Sequence, residues 1–341
     1  MFSPALRLLK NKLPDAEIDM LVMFGSVKQM YINHPSLSNV HFIDFLKQPK
    51  LRSLAEVRRL KKKEYDYSVN IYPSNRLEYN IVNALLGAKS KLSMHYLHTD
   101  LSRGEFLNDI LVDETAGRHN VLQNIDLASA IAGISESEAG PMEIFISNEH
   151  TEKAEEWLKK VNPEGRPLAG IHAGSAVLKN HINKRWNKDG YIRLVKHLQE
   201  ARGCKVLLFG TEDDLNLEIK TAAGGDAELA STPDFMDSVA RMKSCSLFVS
   251  NDTAFMHCAA ALQLPVVAIF GYTNHRELYP WKTKRIVVRK ELECSPCFYN
   301  SPKPASCRFT GQEEFKCIRS ISSDEVIEAA DKLLELRQDS Q

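Results

Sequence analysis

An α/β fold in two similar halves is what this sequence predicts, and three observations carry the expectation. Short apolar runs alternate with amphipathic helical patterns along nearly the whole chain, which is how parallel strands joined by crossover helices read. The alternation restarts after a turn-rich break at Asn162-Pro163-Glu164-Gly165. The 341 residues, 43% of them hydrophobic, are enough for two domains of about 150 residues each. Residues 1–162 and 163–341 are therefore expected as two Rossmann-like domains with a central cleft between them.

In the first half, helical patterns at Pro4–Leu13, Leu51–Lys63, Leu77–Leu86 and Val121–Ala132 separate strand candidates. The strand candidates are Glu17–Met23, Val40–Phe45, Tyr67–Tyr72 and Glu143–Ile146. Pro4 suits a first helical turn, where a missing N–H costs nothing. Lys61–Lys63 ends a helix and matches its dipole. After helix Thr151–Val161 the pattern is cleaner, with strands at Leu168–His172, Lys205–Phe209, Leu247–Ser250, Pro265–Phe270 and Arg285–Arg289. Helices are expected at Lys188–Arg202, Asp213–Ala223, Pro233–Met242 and Thr253–Leu262. In the first of these, Tyr191, Leu194, Val195 and Leu198 recur at helical spacing and form one apolar face. A last helix, Ser323–Arg337, opens on the capping signal Ser-Ser-Asp-Glu and is expected to pack back on the first domain.

Forty-four basic and forty-four acidic residues cancel, so no global charge points to nucleic acid. No apolar run approaches the roughly 18 residues of a membrane span, and Met1–Lys10 does not read as a signal peptide. A cytoplasmic protein is the expectation. Peripheral contact with a membrane is compatible with it, though no segment stands out as amphipathic enough to carry such contact.

In doubly wound sheets, ligands sit beyond the carboxyl ends of the strands, at helix N-termini. Four turns there are rich in Gly, Ser and Thr: His172-Ala173-Gly174-Ser175, Gly210-Thr211-Glu212, Ser250-Asn251-Asp252-Thr253 and Gly271-Tyr272-Thr273. Glycine lets backbone approach a phosphate, and hydroxyls and free N–H groups can bind it. Each turn could equally do no more than cap its own helix. His257 lies four residues after Thr253, on the same helix face. Lys184-Arg185-Trp186 precedes another helix, where a cation would neutralise a departing phosphate. Trp186 reads as an anchor for that helix. Cys204, Cys245 and Cys258 read as packing residues. Cys294, Cys297, Cys307 and Cys317 cluster in one loop and could hold a structural zinc ion or remain packed thiols.

The ordered set HAGS, KRW, KVLLFG and SNDTAFMHCAAALQLPVVAIFGYT, followed by CSPC, resembles glycosyltransferase family 9, the ADP-heptose:lipopolysaccharide heptosyltransferases. The resemblance extends to SPALRLLKNKLPDAEIDMLV and EYDYSVNIYPSNR in the first half. It implies a GT-B fold, a nucleotide-sugar donor in the second domain, a glycan acceptor against the first, and inverting transfer without a metal cofactor. ADP-heptose and a lipopolysaccharide-core acceptor are the favoured substrates, met at the inner face of the membrane. Donor-binding positions carried over are Gly174, Ser175, Lys184, Gly210, Glu212, Ser250, Asn251, Asp252, Thr253, Ala254 and His257. Ala254 stands where the family usually has glycine, and the loop Ala176–Asn183 is longer than usual. The general base implied by the resemblance is an aspartate in a Gly-Asp pair ahead of the position of Pro4, so base and first strand are expected upstream of Met1. If the base lies within the chain, Asp44, Asp66 and His119 are the candidates. The alternatives to a transferase are a non-catalytic nucleotide-sugar binding protein and a GT-B-like nucleotide-sugar epimerase.

Overall fold

The computed structural model describes residues 1–299 and 303–338 and divides into two compact units, Met1–Phe145 and Ile146–Tyr299 continuing from Lys303. The first contains α1 (Ser3–Lys12), β1 (Asp19–Val22), α2 (Gly25–Tyr31), β2 (Asn39–Phe42), α3 (Lys50–Lys61) and β3 (Tyr67–Val69). It continues with α4 (Leu77–Leu86), β4 (Ser90–His95), β5 (Ile110–Asp113) and α5 (Asn120–Ala132). Its strands are all parallel but form two sheets, β1-β2 and β3-β4-β5. Ala5 and Leu6 of α1 are fully buried, and α1 packs on α5.

Two strands here escaped the sequence reading. Ser90–His95 spells SKLSMH, too polar to read as a buried strand, yet Leu92, Ser93 and Met94 are fully buried. The expected strand at Glu143–Ile146 does not form. Glu143 is held to α1 instead, through Arg7 at 2.5 Å and a backbone N–H donated to Ser3 Oγ at 3.0 Å.

The second unit contains α6 (Asn148–Val161), β6 (Leu168–His172), α7 (Lys188–Glu200), β7 (Lys205–Phe209), α8 (Asp213–Ala222), β8 (Glu228–Leu229) and α9 (Phe235–Met242). Then follow β9 (Leu247–Asn251), α10 (Ala254–Ala261), β10 (Val266–Ile269), α11 (His275–Leu278), β11 (Arg285–Val288), α12 (Lys316–Arg319) and α13 (Ser323–Gln338). One six-stranded parallel sheet runs β11-β10-β9-β6-β7-β8. Every residue of β6, β7, β9 and β10 is buried, as expected for a sheet covered on both faces. The stripe Tyr191, Leu194, Val195 and Leu198 of α7 is fully buried against it. At about 1.5–3 kcal/mol for each large apolar side chain removed from water, these faces dominate the unit's stability.

Two boundaries differ from expectation. The division falls at Phe145–Ile146 rather than after residue 162, because α6 packs on α9. There the Arg241 guanidinium lies 4.1 Å from the centre of the Trp157 ring, and His150 meets Asp234 at 3.5 Å. The last helix, expected to return to the first domain, packs on α7, β9, β10 and β11 of the second unit. Its Asp331 accepts from Arg202 at 2.7 Å. Among the described residues, no helix is long and apolar enough to cross a membrane.

Candidate functional site

From β6 the chain winds outward through β7 and β8, then returns to β9 on the other side of β6 and winds out through β10 and β11. The direction reverses between β6 and β9, and ligands of such sheets bind outside the carboxyl ends of the strands at that point. His172, the last residue of β6, pairs in register with Ser250 of β9. The turns expected to carry the site therefore meet at one place, and the reason is topological.

Asn251 holds the place together. Its Oδ1 accepts from Trp186 N at 3.0 Å and Tyr191 O–H at 2.9 Å, and its Nδ2 donates to the Ala173 and Gly174 carbonyls, each at 3.0 Å. With every capacity of the amide engaged and the residue fully buried, the Asn251 side chain braces the turns that meet here. Ser250 and Ser175 are likewise inward. Ser250 Oγ donates to the Asn251 carbonyl at 2.8 Å, and Ser175 Oγ donates to the His181 carbonyl at 2.8 Å. Trp186 anchors its helix as expected, donating from Nε1 to the Ile321 carbonyl at 2.8 Å.

Glu212 lies between the two glycine turns. Its Oε1 accepts from Ser175 N at 3.0 Å and Arg185 Nη2 at 3.2 Å, and its Oε2 is 3.8 Å from His172 Nε2. Burial alone would raise this carboxyl, but the nearby His172 and the charge of Arg185 hold it below the usual range. Both glycines are needed for this arrangement. A Cβ at Gly174 would stand 2.2 Å from Glu212 Cδ, and at Gly210, whose φ is +114°, it would stand 2.5 Å from Glu212 Oε2.

At the other side of the switch, Lys184 Nζ reaches Asp252 Oδ2 at 2.7 Å. Asp252 is buried. Burial pushes its carboxyl up, and the charges of Lys184 and His257, with hydrogen bonds from Lys184 and Thr273, more than reverse this. Asp252 therefore stays ionised and fixes the lysine. Thr253 precedes α10 at the cap position but makes no side-chain capping bond. Its hydroxyl instead meets His172 Nδ1 at 2.9 Å and Ser250 Oγ at 3.1 Å. Neither Asp252 nor Thr253 caps α10 in the way the sequence suggests, so the helix terminus points its dipole outward beside a lysine. Ala254 is the exposed first residue of that helix and His257 lies within its first turn.

Four residues absent from the expected donor set complete the site. They are His172, Arg185, His181 and Tyr272. His181 Nδ1 lies 3.0 Å from Tyr272 Oη with the rings stacked, and burial, assisted by Lys184, lowers its pKa to about 4. The backbone between Leu178 and Lys184 kinks at Lys179 and Asn180, both with positive φ, which is why this stretch gave no periodic signal.

The cysteine loop is fastened to the same turns. Cys297 N donates to the Tyr272 carbonyl at 3.0 Å, Ser295 Oγ donates to the Gly271 carbonyl at 2.7 Å, and Ala305 N donates to the Lys179 carbonyl at 2.9 Å. Cys307 and Cys317 join the apolar core with Phe298 and Phe315. Burial, then the neighbouring thiols, pushes Cys317 up to about 11. Among the described residues no three His, Cys, Asp or Glu side chains come together to hold an ion. Cys307 Sγ accepts from Phe315 N at 3.3 Å. Cys294, Cys297, Cys307 and Cys317 do not fit the expected zinc shell in this arrangement, and packing explains the two inner thiols.

In the first unit, each of the in-chain base candidates has a local partner. Asp44 accepts from the N–H groups of Leu46 and Lys47 in its own turn. Asp66, paired with Lys89 at 2.7 Å, precedes β3 at the amino end of the sheet. His119 is buried and caps α5 through Nδ1 to Val121 N at 3.1 Å.

The family model described as glycosyltransferase family 9 (heptosyltransferase) matches residues 53–305. The chain belongs to that family. It is a glycosyltransferase by this membership. Lipopolysaccharide heptosyltransferase 3 of Escherichia coli strain K12 is 26% identical to it over 349 aligned positions, covering 97% of this chain and 93% of that relative. The solved ADP-heptose lps heptosyltransferase II of Escherichia coli superposes with a TM-score of 0.73 at 19% identity, covering 99% of this chain and 95% of the other. A family 9 glycosyl transferase from Veillonella parvula gives 0.76 at 20% identity, with 98% and 93% covered. These likenesses show a fold of the GT-B type.

Proposed function

We propose that the second unit binds a nucleoside-diphosphate sugar, ADP-heptose in preference, and that the enzyme transfers the heptose with inversion to a glycan acceptor of the lipopolysaccharide-core type. The observation that carries the reading is Lys184 held at 2.7 Å from Asp252 beside the uncapped terminus of α10. A diphosphate at that point meets one fixed cation and a helix dipole. The carboxylate of Glu212, between two glycines, suits the hydroxyls of a ribose. The relatives, a lipopolysaccharide heptosyltransferase and an ADP-heptose lps heptosyltransferase, support the same substrates.

In the reaction so read, an acceptor oxygen attacks the anomeric carbon from the face opposite the diphosphate. The bond from that carbon to the phosphate oxygen breaks, and its electron pair leaves on the diphosphate, stabilised by Lys184 and the α10 N–H groups. One in-line displacement inverts the centre. Positive charge from the chain serves the leaving group, so the reading assigns no resident metal to the step. The acceptor proton passes to a general base. The setting is cytoplasmic.

Calorimetry with ADP, UDP, GDP and CDP tests the donor site without needing an acceptor. ADP should bind tightest, and Lys184→Gln and His257→Ala should each weaken it by about 1–3 kcal/mol through loss of a charge-assisted hydrogen bond. Unchanged ADP affinity in both variants would sink this placement.

A further inference from the structure

Between Leu46 and Lys63, eight cationic side chains stand against one carboxylate, Glu56, in a chain whose basic and acidic residues otherwise balance. Helix α3 spans most of that stretch. Ser53, Val57 and Leu60 face the core of the first unit, while Leu51, Ala55, Arg58, Arg59 and Lys62 fall at i, i+4, i+7, i+8 and i+11 and are all exposed. Leu51 is 82% exposed, and Leu46 in the preceding loop is 66% exposed. An open depression of about 490 Å³ lined by Arg52, Ala55, Glu56 and Arg59 lies along the same face.

The charges are only partly used. Arg52 pairs with Glu56 at 3.3 Å and Lys63 with Asp19 at 2.7 Å, whereas Lys47, Lys50, Arg58, Arg59, Lys61 and Lys62 make no ion pair among the described residues. Dipole matching accounts for cations in the last turn of α3. It does not account for Lys50 and Arg52 in the first turn, which has no acidic residue and where positive charge opposes the dipole. A soluble polyanion would satisfy these cations but has no use for two protruding leucines. An anionic bilayer takes both, because leucine enters the headgroup and acyl boundary while lysine and arginine meet lipid phosphates.

We propose that the outer face of α3, with Leu46 and Leu51 at its leading end, docks on an anionic lipid bilayer. The inference is independent of the donor site. Vesicle flotation of the whole chain tests it with phosphatidylcholine alone and with about a third phosphatidylglycerol, at about 50 and 300 mM salt. Binding should require phosphatidylglycerol and fall at least roughly tenfold at the higher salt. The pairs Leu46→Ser with Leu51→Ser, and Arg58→Glu with Lys62→Glu, should each reduce it at least about fivefold with melting and ADP binding unchanged, since all four side chains are exposed. Equal binding to neutral vesicles, or none to anionic ones, would overturn the proposal. So would binding that the charge pair abolishes and the leucine pair leaves intact, with heparin bound as tightly, which would assign the face to a soluble polyanion.

Discussion

The two units use the same alternation of strand and helix to different ends. In the second, one continuous sheet has four strands buried at every residue. Its switch point is locked by Asn251, which joins β9 to the β6 turn and to both Trp186 and Tyr191. In the first, the parallel strands fall into separate two- and three-stranded sheets, and β2 and β5 contain no buried residue. Strands β1 and β3 each end a sheet, with ladder groups on one side not taken up by a neighbouring strand. The difference teaches that the second unit is built as one continuous frame around four buried strands, while the other unit keeps open edges and a charged outer face.

The sharpest way to break that frame is Asn251→Ala. It strands the Trp186 N–H, the Tyr191 hydroxyl and two carbonyls in a buried interior, and should cost at least about 4 kcal/mol at about 1–3 kcal/mol for each buried group left unsatisfied. Chemical denaturation should show the loss in the second unit alone. A shift under about 1 kcal/mol would mean that water replaces the amide, and that the frame is not fixed by it.

Acid offers a gentler separation. The folded His181 has its pKa lowered to about 4, below the ordinary 6.5, so between those values the unfolded chain binds more protons and stability rises with pH. Its contribution is complete above about 6.5 and is lost as pH falls toward about 4. Asp19 behaves otherwise in the first unit. Burial opposes its charge, but Lys63, Tyr65, Asn39 and His41 together hold it well below the usual carboxylate range, so its contribution is lost only below about pH 4. Burial lowers His34 in the first unit as well, so thermal melts followed by exchange should show both units weakening as pH falls below about 6.5, and His181→Phe should flatten the slope in the second unit alone.

Much of this was legible in the residues themselves. Strands β6 and β7 run where their apolar spelling put them, and α7 buries the four residues its spacing named. Parallel strands covered on both faces are nearly continuous apolar runs, which is why the second unit reads well. Half-exposed strands such as β5, Ile-Leu-Val-Asp, and the polar β4 do not announce themselves. At the site, the SNDT turn, Lys184, Glu212 and His257 were expected from turn chemistry and resemblance, and the fold brings Lys184 and Asp252 together across 68 residues. What sequence could not assign was direction. Asn251, Ser250 and Ser175 face inward, while Arg185, named only as a neighbour of Lys184, proves to bridge Ser175 and Glu212. Side-chain direction at a switch point depends on partners far along the chain, and local spacing does not encode it.

The most direct test of the account is amide hydrogen exchange across the whole chain with and without ADP. Without ligand, the strands β6, β7, β9 and β10 should be protected well beyond β1, β2, β3 and β5. Saturating ADP should add protection at Gly174–Ser175, Lys184–Trp186, Gly210–Glu212 and the first turn of α10, and leave the first unit's strands unchanged. Protection gained mainly in the first unit, or none at the start of α10, would contradict a donor site built on the second unit's switch point.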